Sequence, residues 1–163
     1  MDLRSVPIEP LKDKKYVFHP GGTKPSKNLQ RCIEAFLNLG LHDVYFVYIE
    51  NAVNSNSYDR PKRSNEKLIA LNDVSDANMK WLYENSEIVS VISLEEGIGL
   101  PLLEAQLTNS IVVTGIVSAM PEISEMKALY ADPYDVNNIR DKYAEALNKA
   151  KTPAKTITSP PLY

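Results

Sequence analysis

Two carboxylates, Glu96 and Glu104, lie on either side of two glycines and a proline. Gly97 and Gly99 allow the backbone to approach a ligand closely and expose its amide groups. Pro101 is placed to begin a helix, and the free amides at the positive end of that helix would favour an anion such as a phosphate. Carboxylates are poor phosphate ligands but good acceptors for hydroxyl groups. The segment therefore predicts a site for a phosphate that has hydroxyl-bearing groups on both sides.

The elements around this segment alternate between strand and helix patterns. Strands are predicted in KYVFHP, DVYFVYIE, KLIAL, EIVSVIS, IVVTG and ALYA. Helices are predicted in NLQRCIEAFLNLG, in DANMKWLYENS with Ser75 as its cap, in GLPLLEAQLTNS, and in VNNIRDKYAEALNKA with Asp135 as its cap. A short helical turn is predicted in MPEISEM.

This alternation predicts an α/β fold, with a parallel sheet covered by helices on both faces. Ligands of such sheets bind at the carboxyl ends of the strands. The distinctive loops HPGG, NDV, LEEGIG and TGIVSAM all begin at that edge, which favours a binding cleft there. We expect a linker in residues 1–14, one domain in residues 15–150 and an irregular tail in residues 151–163.

The composition excludes several classes of protein. A net charge of −3 argues against nucleic acid as the main partner. Cys32 is the only cysteine, so a disulfide framework and a cysteine-based zinc site are excluded, and its place on an apolar helix face predicts burial. His19 and His42 lack metal-ligand spacing and receive no role, and no metal site is expected. Since neither a membrane span nor a secretion signal is evident, we expect a cytoplasmic location.

The stretch EEGIGLPLLEAQ resembles the Glu-x7-Glu signature of retaining nucleotide-sugar glycosyltransferases with the two-lobed GT-B fold. The signature is usually written E-G-F-G-L-P-x-L-E-A, and here Ile98 replaces the aromatic residue. HPGGTKPSKNLQRCIEAF resembles the family's glycine-rich turn and following helix. NDVSDANMKWLYENSEIVSVIS and MPEI resemble later parts of the same lobe. The resemblance extends from Tyr16 to Leu147 and implies a Rossmann-like sheet that forms the C-terminal lobe of a GT-B fold.

The resemblance also implies a role for individual residues. Glu104 would bind the ribose hydroxyls of the donor, and Val74 would line the pocket for the base. Glu96 would hold the transferred sugar and diphosphate, and Lys27 would pair with the diphosphate; these two are the candidate catalytic residues. The remaining candidate binding residues are Gly21, Gly22, Gly97, Ile98, Gly99 and Leu100. The family often has an arginine where this chain has Gly22, and Lys24 is the alternative cation.

The implied reaction is transfer of a sugar from a nucleoside diphosphate to a glycan or lipid-linked acceptor, with retention of configuration and without a cofactor. The turn HPGGTKPSKN resembles that of mannosyltransferases with guanosine diphosphate donors more than that of enzymes that use uridine donors, which implies guanosine diphosphate mannose. Members of the family have a second, N-terminal lobe that binds the acceptor, and this chain resembles only the donor lobe. We therefore expect the isolated chain to be inactive, and a full-length enzyme to be cytoplasmic or peripheral to a membrane.

Other interpretations remain open at the level of sequence. The chain could be a non-catalytic subunit that binds a nucleotide sugar or a partner, or the same lobe of a phosphorylase or epimerase. Taken alone, Lys27 would be a solvated lysine at a helix start, and Glu104 would be a surface acid. Trp81 is expected in the core.

Overall fold

A computed structural model of the chain describes residues 4–50, 65–94, 100–116 and 128–151. Within these ranges six strands form one sheet: β1 (Lys15–His19), β2 (Val44–Ile49), β3 (Leu68–Leu71), β4 (Ile88–Val91), β5 (Val112–Gly115) and β6 (Ala128–Ala131). The strand order is β3-β2-β1-β4-β5-β6, and every neighbouring pair is parallel. The helices are α1 (Leu29–Leu37), α2 (Asp76–Asn85), α3 (Leu100–Leu107) and α4 (Val136–Lys151). The predicted parallel α/β fold is confirmed.

The helices cover both faces of the sheet, as the alternating pattern predicts. Successive residues of a strand point to opposite faces, so Val17 of β1 packs with α1 and α4, whereas Phe18 packs with α2 and α3. Cys32 of α1 and Trp81 of α2 are both buried, one on each face, as expected. The central strands β1, β4 and β5 are buried on both faces because the sheet lies between two helical layers.

The two predicted helix caps are also present. The Ser75 hydroxyl accepts a hydrogen bond from the backbone amide of Asn78 at 3.0 Å. The Asp135 carboxylate accepts one from the amide of Asn138 at 3.1 Å. Both caps satisfy amides that the first turn of a helix leaves unpaired, so they fix where α2 and α4 begin.

The segment before β1 contacts the sheet. A short 3-10 turn, Glu9–Leu11, places the Leu11 side chain in the core on the α2 face, where it is 1% exposed. Residues 1–14 are predicted as a linker, and the domain limits at residues 15 and 150 stay predictions.

The chain changes direction across the sheet at β1. The strands β2 and β3 are added on one side of β1, and β4, β5 and β6 are added on the other. The carboxyl ends of β1 and β4 therefore flank the point at which open parallel sheets form a ligand crevice. The segments 95–99 and 117–127, the second of which contains MPEISEM, lie outside the described residues.

Candidate functional site

The turn after β1 contacts the chain just after β4 at the carboxyl edge of the sheet. The backbone amide of Leu94, just after β4, donates a hydrogen bond to the carbonyl of Ser26 at 2.8 Å. Ser26 belongs to the turn that follows β1 and immediately precedes Lys27. The chain therefore enters segment 95–99 directly beside the Lys27 turn.

Part of the predicted site cannot be placed. Glu96, Gly97, Ile98 and Gly99 lie outside the described residues, so their roles stay predictions. Leu100 is the first residue of α3. The position of Leu100 agrees with the expectation that segment 95–99 leads directly into the amino end of that helix.

Gly22 adopts a backbone conformation that favours glycine. Its φ angle is +80°, in the left-handed region where a Cβ atom is strained. A side chain such as the arginine that related sequences often carry would therefore be strained in this turn. Lys24 lies two residues further on and is exposed.

Gly21 and Lys27 are in direct contact across the same turn. A Cβ atom built on Gly21 would lie 3.3 Å from both Cβ and Cδ of Lys27. The apolar stem of Lys27 therefore lies over the Gly21 backbone, which places this half-buried side chain at the carboxyl end of β1. The absence of a side chain at Gly21 is what permits this close approach.

Asn28 anchors the turn after β1 to the connection between β6 and α4. It has a φ angle of +62° and is 2% exposed. Its Nδ2 donates to the carbonyl of Pro133 at 2.7 Å, and its Oδ1 accepts from Nη1 of Arg31 at 3.1 Å. Pro133 lies in the connection from β6 to α4, so Asn28 joins the first and last connections at the carboxyl edge of the sheet.

His19, the last residue of β1, is buried beneath this turn. Neither ring nitrogen has a hydrogen-bond partner in the part of the chain that the structure describes. Burial lowers the pKa of His19 to about 4; the Gly22 backbone offsets part of this shift and the charge of Lys27 adds to it. The imidazole is therefore neutral at pH 7. The sequence offered one signal for this site, a polar residue at the end of an apolar strand.

Glu104 lies on a groove between α2 and α3. The groove has a volume of about 530 Å³ and is lined by Asp76, Met79, Lys80, Tyr83, Glu104, Leu107 and Thr108. Glu104 is exposed, whereas Tyr83 is 2% exposed. Burial raises the pKa of Tyr83, and the nearby Glu104 carboxylate raises it further. No signal in the sequence indicates the place of Tyr83 beside Glu104, because the two residues lie on different helices.

Val74 is placed near, but not in, this groove. It is half-buried and packs against the core on the α2 face, one residue before the cap of α2. In the described ranges, no cluster of three or more histidine, cysteine, aspartate or glutamate side chains could hold a metal ion. None of the helices in those ranges has the length and apolar character needed to cross a membrane.

Solved structures identify the fold. The C-terminal domain of a group 1 glycosyl transferase (LpcC) from Francisella tularensis superposes with a TM-score of 0.68 at 21% identity, covering 91% of this chain and 87% of that one. A UDP-forming α,α-trehalose-phosphate synthase from Burkholderia xenovorans superposes with a TM-score of 0.68 at 16% identity, covering 85% of this chain and 37% of that one. The chain has the fold of the C-terminal domain of GT-B glycosyltransferases.

Sequence comparisons identify the family. The sequence profile described as glycosyl transferases group 1 matches residues 4–159, and the chain belongs to this family. The serotype-specific mannosyltransferase WbdA of Escherichia coli is 26% identical over 161 residues, which is 90% of this chain and 20% of WbdA. The O-antigen chain mannosyltransferase B of the same species is 35% identical over 74 residues, which is 45% of this chain and 19% of that protein. The chain thus spans about a fifth of the length of these relatives.

Proposed function

We propose that this chain is the donor-binding part of a retaining glycosyltransferase, which moves mannose from a nucleoside diphosphate sugar to a glycan or lipid-linked acceptor. The observation that carries the proposal is the hydrogen bond from Leu94 to Ser26. It brings the Lys27 turn and the entry to segment 95–99 together at the crevice between β1 and β4. Membership of the group 1 family supports sugar transfer, and the similarity to two mannosyltransferases supports mannose.

The proposed chemistry is mainly electrostatic. The Lys27 ammonium and the amino end of α3 stabilise the diphosphate as it departs, because both place positive charge at the carboxyl edge of the sheet. Glu104 accepts hydrogen bonds from the ribose hydroxyls, and Glu96 holds the transferred sugar. The acceptor enters on the same face of the sugar as the departing diphosphate, from a part of the protein beyond this lobe. The scheme uses no cofactor, and guanosine is the favoured base.

Calorimetry with GDP and UDP tests whether Glu104 holds the donor. Glu104→Ala is expected to weaken nucleotide binding by about 1–3 kcal/mol, the scale for hydrogen bonds to a charged group. Glu145→Ala is the matched control, because Glu145 is an exposed helix glutamate on α4, at the opposite face of the sheet. The proposal is wrong if the wild-type chain binds neither nucleotide, or if Glu104→Ala and Glu145→Ala bind with the affinity of wild type. UDP binding more than about tenfold tighter than GDP would reverse the choice of base.

The contact between Gly21 and Lys27 gives a second prediction. Gly21→Ala forces the Lys27 stem to shift by a few tenths of an ångström, because the new Cβ would lie 3.3 Å from two of its carbons. We expect GDP affinity to fall about threefold to tenfold, since a charge-assisted contact depends on its geometry. Isothermal titration calorimetry measures the affinity, and thermal melting shows whether the fold is kept.

Gly115→Ala is the control for this substitution. A Cβ on Gly115, at the end of β5, would lie 3.5 Å from the carbonyl of Ser93 and 3.8 Å from the side chain of Pro133, which are ordinary contact distances. We expect this variant to bind GDP as wild type does. Equal affinity in Gly21→Ala and Gly115→Ala would contradict a role for the Lys27 position.

A further inference from the structure

Tyr83 carries a buried hydroxyl that lacks a partner. Its ring packs edge-on against Phe18 on the α2 face of the sheet, with the ring centroids 5.2 Å apart. In the described ranges its hydroxyl oxygen makes no hydrogen bond of normal length and angle. Leaving a buried hydroxyl unpaired costs free energy, so such a group usually has a partner in one of the protein's functional states. The Tyr16 hydroxyl, in the same core, donates to the carbonyl of Leu82 at 2.9 Å.

Glu104 is the group best placed to become that partner. It lines the same groove as Tyr83, on the facing helix. Burial raises the pKa of the Tyr83 phenol, and the Glu104 carboxylate raises it further, both by its charge and as a hydrogen-bond acceptor. The phenol therefore keeps its proton at neutral pH and can only donate to a carboxylate. Since Glu104 is exposed, water now competes for its oxygens. A ligand that covers the groove would remove this competition.

A set of hydroxyl contacts fixes the two residues relative to each other. The Ser110 hydroxyl donates to the backbone carbonyl of Tyr83 at 3.0 Å. Ser110 and Thr108 lie with their hydroxyl oxygens 2.7 Å apart. The Thr108 hydroxyl donates a hydrogen bond to the backbone carbonyl of Glu104 at 3.1 Å. The Ser110 amide also donates to the carbonyl of Ala105 in α3 at 3.0 Å, so Ser110 links the carboxyl-terminal ends of α2 and α3. The Glu104 side chain is exposed and can rotate relative to the phenol.

We propose that Tyr83 is a positioning residue, whose hydroxyl donates a hydrogen bond to the Glu104 carboxylate when a nucleotide is bound and directs that carboxylate at the ribose hydroxyls. The inference rests on the proposed function, because it needs Glu104 to hold ribose. It differs from that function in assigning a task to a side chain that acts on the nucleotide only through Glu104. Lys80 also lines the groove, but the substitution below leaves Lys80 in place.

The test compares Tyr83→Phe with wild type in calorimetric titrations of GDP and 2′-deoxy-GDP. Phenylalanine removes only the hydroxyl and keeps the ring against Phe18. We expect affinity for GDP to fall about fivefold to tenfold, the scale of one net hydrogen bond, and affinity for 2′-deoxy-GDP to fall less. The preference of the chain for ribose over deoxyribose therefore shrinks. The double variant Tyr83→Phe/Glu104→Ala should bind GDP no more weakly than Glu104→Ala alone, because both changes remove one function.

Tyr16→Phe is the matched control, since it makes the same change in the same core. It removes an existing hydrogen bond, so its melting temperature should fall while its ribose preference stays that of wild type. Tyr83→Phe should melt at the wild-type temperature or slightly above it, because it removes an unpaired buried group.

The outcomes separate the inference from the proposed function. If Glu104→Ala weakens GDP binding but Tyr83→Phe does not, or if the two changes add in the double variant, the inference is wrong and the proposed function stands. If Tyr83→Phe lowers the affinity for GDP and for 2′-deoxy-GDP by the same factor, the inference is also wrong. The hydroxyl would then affect only the packing of the groove and not the contact with ribose. If Glu104→Ala leaves GDP affinity unchanged, or if the wild-type chain binds no nucleotide, the inference and the proposed function are both wrong.

Discussion

Lowering the pH from 7 to 5 is expected to reduce the free energy of unfolding by about 2 kcal/mol through His19 alone, and by about 3 kcal/mol at pH 4. The imidazole is buried beneath the turn after β1, stacked near Phe46 at 5.9 Å between ring centroids, beside the Lys27 charge. Both nitrogens lack partners among the described residues. Protonation in the folded state therefore places a buried charge next to a lysine, and the Gly22 backbone offsets only part of that cost.

The direction of this effect follows from the two pKa values. In the unfolded chain His19 takes up a proton as the pH falls through its ordinary value of 6.5, whereas in the folded chain it does so only near 4. Between these values the unfolded state binds more protons, so stability falls with the pH, and the loss levels off below the folded pKa.

Urea unfolding of His19→Leu at pH 7 and pH 5 measures this contribution. Leucine keeps an apolar contact with Phe46 and cannot be protonated, so the variant should lose about 2 kcal/mol less than wild type between the two values. His42→Gln removes the other, exposed histidine and should keep the wild-type response. If His19→Leu and wild type lose the same stability on acidification, His19 is protonated in the fold without cost and its assignment as a buried neutral group is wrong.

The sheet and its helices were predictable because each element carries its own local pattern. In α1 the apolar spacing of Leu29, Cys32, Ile33 and Phe36 is sufficient to define the buried face, and all four are buried. Ser75 and Asp135 mark helix starts because a side-chain oxygen at the cap satisfies an amide three residues later. The alternation of such elements then restricts the fold to a parallel sheet with right-handed crossovers.

The candidate site was predictable only where a motif lies within one connection. The Lys27 turn follows a single strand, and the structure places it at the expected edge of the sheet. Sequence spacing gives no signal for pairs such as Asn28 with Pro133, which are 105 residues apart, or Tyr83 with Glu104, which lie on different helices. These pairs form because the parallel sheet brings successive connections together, so their partners depend on the finished fold.

The conformation of Gly22 shows a further limit of prediction from sequence. From sequence, a glycine where related chains often have arginine indicates a missing cation. The φ angle of +80° gives a different reason for glycine, since the turn itself takes a left-handed conformation at this residue. Backbone angles of single loop residues depend on the contacts at both ends of the turn, and here Asn28 supplies one of those contacts.

Replacing Asn28 by alanine is expected to reduce the free energy of unfolding by about 2–4 kcal/mol. Two costs combine. The buried carbonyl of Pro133 loses the donor that lies 2.7 Å away, and an alanine replaces asparagine at a φ angle of +62°, where asparagine is tolerated better. The turn that carries Lys27 also loses its link to the connection before α4, so GDP binding should weaken as well.

Two control variants separate these costs in urea unfolding. Asn28→Gly keeps the left-handed conformation and loses only the side-chain bonds, so it should be about 1 kcal/mol more stable than Asn28→Ala. Asn109→Ala makes the same change at a φ angle of +58° on an exposed residue, and should cost only about 1 kcal/mol. If Asn28→Ala costs no more than Asn109→Ala, the bond to Pro133 adds nothing to stability, and the turn around Lys27 must be held by its other contacts, such as the bond from Leu94 to Ser26.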